Sequence, residues 1–88
     1  MKASFFIKDI FNIPNTGPIL AGLVKSGELS AGMKAEVAGQ ILIVKYIEQK
    51  NSQIELAIAE DRVGIIFEEA DYELLKPYKN QEITFIKE

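Results

Sequence analysis

The sequence predicts an all-β protein: a closed six- or seven-stranded β-barrel with at most one short helical turn. Three features carry that expectation. Short apolar segments rich in Ile, Val, Phe and Tyr recur along the chain, glycine- and proline-rich turns separate them, and only one stretch has helical spacing. This pattern means a sandwich or a barrel, and a barrel is favoured because a segment as apolar as residues 41–47 would otherwise leave a bare, aggregation-prone edge.

Residues 3–13 read as the first strand. Phe5 and Ile7 share one side, but the adjacent pairs Phe5-Phe6 and Ile10-Phe11 break the strict period. That break predicts burial on both faces or a bulge near Lys8-Asp9. Pro14-Asn15-Thr16-Gly17-Pro18 ends the strand, because proline lacks a donor while Asn and Gly tolerate positive φ. Residues 19–25 form the second strand. Gly22 lies inside it, where a glycine marks a bulge or a close approach of another backbone.

Ser26-Gly27 and Ala31-Gly32 are turns, residues 34–37 a short strand, and Gly39-Gln40 a tight connection. Residues 41–48 have the strongest β character and are apolar on both alternating sets, as in a central strand. Lys50-Asn51-Ser52 turns the chain. Residues 53–58 then alternate, with Ile54, Leu56 and Ile58 on one side and Gln53, Glu55 and Ala57 on the other. After the loop Ala59-Glu60-Asp61, residues 62–67 form a buried strand containing Gly64. Ala70 and Leu74 recur at i and i+4 with Pro77 just beyond, which predicts one or two helical turns within residues 68–76. Residues 82–86 close the chain as the last strand.

At 88 residues the chain is read as a single domain spanning 1–88. A domain of this size buries about 60–65% of its unfolded surface, so little stability is spare. A hydrophobic fraction of 48% supplies a core and argues against disorder. Cysteine and histidine are both absent, which removes disulfides and the usual zinc ligands. A cysteine-free chain suits a reducing compartment. The first apolar run is too short for a signal peptide, and no run approaches the roughly 20 residues of a membrane span. The expected location is therefore cytoplasmic, with no membrane contact. A net charge of −3 with scattered basic residues disfavours strong non-specific nucleic-acid binding.

Three glycines, Gly22, Gly27 and Gly32, are evenly spaced within the run from Gly17-Pro18-Ile19-Leu20-Ala21 to Ala31-Gly32. Before them stands Phe6-x-x-Asp9-Ile10-Phe11-x-Ile13. After them come Val37-x-Gly39, Val44-Lys45-x-Ile47 and Ala59-Glu60-Asp61-Arg62-Val63-Gly64-Ile65. This ordered set resembles domain 2 of translational GTPases of the elongation factor Tu type, here standing without a GTPase domain. The resemblance runs from Phe6 to Ile65 and more loosely to the end. It implies a Greek-key barrel that packs beside a partner domain and, in the Tu-type members, helps hold the aminoacyl end of tRNA. The chain departs from the family pattern at Ala21, Leu23, Met33 and Glu60, each at a position where the family has another residue. No phosphate-binding loop of the Gly-x-x-x-x-Gly-Lys-Ser/Thr kind is present, so GTP binding in the family's manner is not expected.

Gly17, Gly22, Gly27, Gly32 and Gly64 are read as structural positions, and Asp61 as a turn cap that accepts backbone N–H groups. The acidic string Glu68-Glu69-x-Asp71-x-Glu73 fits no calcium-loop spacing and is read as a helix start. Glu60-Asp61 has no nucleophile or imidazole beside it, and Ser4, Ser26, Ser30 and Ser52 have no base. No catalytic constellation, metal site or cofactor is expected. Leu23 and Met33 are apolar where the family is often polar, which suggests a partner surface for a protein or a second copy of the chain. The alternative partner is RNA, stacked and paired on a face built from Lys45, Tyr46, Tyr72, Lys76, Tyr78 and Lys79. The function expected from sequence is thus a non-enzymatic binding module related to translation-factor domain 2. RNA or tRNA-end binding is the second choice.

Overall fold

A computed structural model describes residues 1–87. The described residues form nine strands and one short helical segment. The strands are β1 (Lys2–Ile13), β2 (Gly17–Ser26), β3 (Glu28–Ser30), β4 (Lys34–Val37), β5 (Gln40–Gln49), β6 (Ser52–Ile54), β7 (Leu56–Ile58), β8 (Arg62–Phe67) and β9 (Glu82–Ile86). Between β8 and β9 lie α1 (Tyr72–Leu75) and a 3-10 turn (Lys76–Tyr78).

Six strands close an antiparallel barrel in the order β4-β9-β1-β2-β8-β5, and β5 returns to pair with β4. Strand β6 hangs outside the closed ring on β5, and β3 and β7 form a separate two-stranded ribbon. Closure follows from the apolar pattern. One alternating set of each strand points inward, and Phe5, Ile7, Leu20, Leu42, Ile47, Ile65 and Phe85 are all fully or almost fully buried. Phe67 and Phe85 stack across the interior with ring centroids 6.2 Å apart. Leu75 plugs one end of the barrel and has no exposed surface.

The irregular period of the first strand has a structural cause. Ala3, Phe5 and Ile7 point inward, then Lys8 is left without a partner as the pairing with β2 shifts between Ile7 and Asp9, and Ile10 resumes the inward set. The bulge brings β1 over Gly22. A Cβ there would collide with the Phe6 carbonyl oxygen and crowd the Lys8 nitrogen, so only glycine fits. Gly27 is confined in the same way by the Lys2 carbonyl oxygen, and its φ of 76° adds a backbone requirement.

Two-residue turns join β4 to β5 through Ala38-Gly39, and β5 to β6 through Lys50-Asn51, all at positive φ. Such paired positive φ values match the twist of a hairpin. At the turn before β8, Asp61 accepts from Ile58 N–H at 2.9 Å, while its own N–H donates to the Ile58 carbonyl at 3.0 Å. Glu60 sits there with φ of 79°. Asp71 caps α1 by accepting from Glu73 N–H at 2.9 Å.

Two expectations are corrected. Residues 53–58 are not one strand. The chain breaks at Glu55, so that β6 pairs with β5 while β7 pairs with β3, and the break inverts the faces. Ala57 is fully buried, whereas Leu56 and Ile58 are 49% and 51% exposed. The segment between the Gly27 and Gly32 turns, read only as turns, contains β3, which lays Leu29 into the core.

Candidate binding walls

The sheet β1-β2-β8-β5 carries the surface features of interest, and its register sets them. Phe11 pairs with Ile19, Ile19 with Ile66, and Ile66 with Tyr46. All four side chains point outward, because the flanking Ile10, Leu20, Ile65 and Ile47 form the buried set. They make an apolar row across four strands. Ile66 in the middle is 2% exposed although it faces away from the core, while Phe11 at the end is 48% exposed and the neighbouring Ile13 is 41% exposed.

One pleat further along the same strands, the outward row is Asp9, Ala21, Gly64 and Glu48. Its middle has almost no side-chain bulk, and a hollow of about 300 Å3 opens over Ala21, Gly22 and Gly64. Lys8, Lys50 and Arg62 stand around it, with Glu48 as the one carboxylate in its lining. A second hollow of about 260 Å3 shares Lys8 and Arg62 and adds Phe6, Leu23 and Lys25.

The residues singled out in the sequence are distributed differently from expectation. Met33 has no exposed surface, and its sulfur accepts from Ser30 N–H at 3.3 Å, so it belongs to the core and not to a partner surface. Leu23 is half-buried on the outer wall in the second hollow. The pair therefore makes no shared patch. Position 33 turns inward because it precedes β4 and enters the buried alternation of Ala35 and Val37.

The six residues proposed for RNA stacking also divide. Tyr46 belongs to the apolar row, and Lys45, bulged out of the β5 pairing, lines a hollow with Gln53, Glu55 and Lys87. Tyr72, Lys76, Tyr78 and Lys79 lie on the segment that closes the barrel end. Tyr72 and Tyr78 pack against the core there. Lys76 pairs with Glu73 at 3.2 Å and stands 5.7 Å from the Tyr72 ring centre, and Lys79 lies 3.7 Å from Asp9. The Lys79–Asp9 contact and the packed tyrosines tie the closing segment to the barrel, and the six residues form no continuous aromatic face.

Among the described residues no group of three or more acidic side chains is arranged to hold a metal ion, and no helix is long and apolar enough to cross a membrane. The walls found here, centred on Phe11 and Ile66 and on Lys8 and Arg62, were missed in the sequence because their members come from four segments joined only by strand register. The partial signal was Phe11 and Ile13, two apolar side chains in the stretch where the period had already broken.

The fold is a small closed antiparallel barrel whose outer wall carries an apolar row and, beside it, a cation-lined trough. No family model and no curated protein matches the chain. The resemblance to translation-factor domain 2 therefore stands on the quoted residues alone.

Proposed function

We propose that the chain is a non-enzymatic binding module that docks protein, in the first instance a second copy of itself, through the apolar row of Phe11, Ile19, Ile66 and Tyr46. The observation that carries this reading is the half-exposed Phe11 at the end of a row whose centre is already dry. An apolar row is complementary to its own two-fold image, whereas a charged wall repels its image. Exposed aromatic and aliphatic side chains of this kind are the anchors on which protein interfaces concentrate their energy. The likeness to domain 2 of elongation factor Tu-type GTPases supports the same reading, since in that family the barrel works against a neighbouring domain. It also implies the Greek-key connectivity, while the cysteine-free composition suits a cytoplasmic setting.

Light scattering across the micromolar range tests the proposal. The native chain is expected to show the mass of a dimer, and Phe11→Asp that of a monomer with an unchanged thermal transition. A native chain that stays monomeric, together with no protein captured by native chain that Phe11→Asp fails to capture, rejects it.

A further inference from the structure

We infer that the second copy docks edge to edge: residues 9–13 of β1 pair antiparallel with the same residues of the other copy, about a two-fold axis at Phe11. This rests on the self-association reading above and supplies its geometry. Strand β1 is covered by β2 from Ser4 to Ile13, but β9 pairs with it only from Lys2 to Phe6. Ile7 makes the last bonds on the β9 side, donating to the Gln81 carbonyl at 2.8 Å and accepting from Asn80 N–H at 2.7 Å. Beyond Ile7, no strand lies on that flank of β1 among the described residues. The Lys8 bulge then decides which backbone groups the open flank presents. Ile7 faces β9, and the extra residue shifts the alternation by one, so Ile10 and Asn12 face the open side. Neighbouring contacts agree. Pro18, opposite Asn12 on β2, has no N–H to give. The Ile10 N–H donates to a side chain, the Asp9 carboxylate, at 2.9 Å. The Ile13 carbonyl accepts from Thr16 N–H inside the turn, away from the flank.

An edge left open in this way is a template for strand addition. The stretch is bounded by Asn80 and Gln81 at one end and by the turn that starts at Pro14 at the other, and Phe11 is the middle of its regular part. Only a register centred on Phe11 lets two copies use all of it. That register sets Ile10 against Asn12 of the other copy and Phe11 against Phe11, an aromatic cross-strand pair. It also keeps the two Asp9 carboxylates apart, each beside an Ile13. A second copy fits better than a foreign peptide because Phe11 is the edge member of the row through Ile19 and Ile66 to Tyr46. Two-fold pairing therefore joins two apolar rows end to end and covers Phe11 and Ile13, which are 48% and 41% exposed in the lone chain. The Asp9 carboxylate shields the Ile10 donor in the lone chain and gives it up to the incoming strand.

Amide hydrogen exchange of the native chain, followed by NMR below and above the dimerisation midpoint found by light scattering, tests the inference. The Asn12 amide is expected to exchange freely in the monomer and about tenfold or more slowly in the dimer. A companion variant, Asn12→Pro, removes an edge donor that the lone chain does not use, and proline is accepted on an edge strand whose N–H faces solvent. It is expected to melt near the native chain and to dimerise about tenfold or more weakly. If that variant fails to fold, the exchange result on the native chain decides alone. A native dimer whose Asn12 exchange does not change with concentration, or a folded Asn12→Pro that dimerises as tightly as the native chain, overturns the edge geometry and leaves docking through the row standing. A native chain that is monomeric throughout overturns self-association itself, and the edge geometry with it. Protection of Asn12 that appears only when a foreign extended peptide is added gives the edge to another protein and overturns the second-copy assignment.

Discussion

Two outward rows lie one pleat apart on the same four strands and behave in opposite ways. The row Phe11–Ile19–Ile66–Tyr46 is filled with large apolar side chains, and its centre is almost dry even without a partner. The row Asp9–Ala21–Gly64–Glu48 is nearly empty at its centre and is rimmed by cations. The four strands are common to both, and the contrast comes from side-chain volume, with the Lys8 bulge lying beside the trough. A sheet face becomes a docking ridge or a trough according to which residues the register happens to align. The alternation of each strand on its own does not decide it.

The glycines beside the trough give the sharpest way to break this comparison. Gly22 faces the β1 backbone and Gly64 faces the trough, where a Cβ would meet only Ile19 Cγ2 at 3.3 Å. The same substitution should therefore have very different consequences at the two positions. Gly22→Ala is expected to cost about 3 kcal/mol or more, since β1 and β2 must part to admit the methyl group. Urea denaturation should show either a large fall in midpoint or no folded baseline. Next in size, Ile66→Ala removes a buried side chain from the middle of the apolar row and is expected to cost about 2–4 kcal/mol by the same assay. Equal stability of Ile66→Ala and the native chain would mean that the row is not packed as described.

Asp61→Ala leaves the Ile58 N–H without its side-chain acceptor and should cost about 1 kcal/mol, read as a lower thermal midpoint. Gly64→Ala is expected to change stability by less than about 0.5 kcal/mol, because Ile19 needs to move only slightly. Its value is diagnostic. A Gly64→Ala variant as damaged as Gly22→Ala would show that the trough is filled in solution. At the small end, Glu60→Gly should gain up to about 1 kcal/mol by removing a side chain from a left-handed position. A loss instead would indicate that the Glu60 side chain contributes contacts that outweigh the strain.

The fold was legible in the sequence where a local rule had a physical reason that survived closure. The misfit between Phe5-Ile7 and Ile10 announced the Lys8 bulge, and Gly22 inside a strand announced the close backbone beneath it. The helical spacing before Pro77 marked the closing segment, although the helix proper is only Tyr72–Leu75. Reading failed where pairing partners decide orientation. Ala57 looked like a residue of the polar side because it alternates with Ile54, Leu56 and Ile58, but the switch from β5 to β3 as partner at Glu55 turns it inward. Met33, apolar where the family is often polar, suggested a partner surface, yet it starts the buried set that continues through Ala35 and Val37. The candidate walls were the least legible. Lys8, Lys25, Lys50 and Arg62 are far apart in sequence and meet only through register, as do Phe11, Ile19, Ile66 and Tyr46.

The claim that the two rows act independently is tested most directly by one light-scattering series on the native chain, Phe11→Asp and Arg62→Glu. The two-row account predicts a dimer for the native chain and for Arg62→Glu, and a monomer for Phe11→Asp alone. A dimer that persists in Phe11→Asp but dissolves in Arg62→Glu would contradict it.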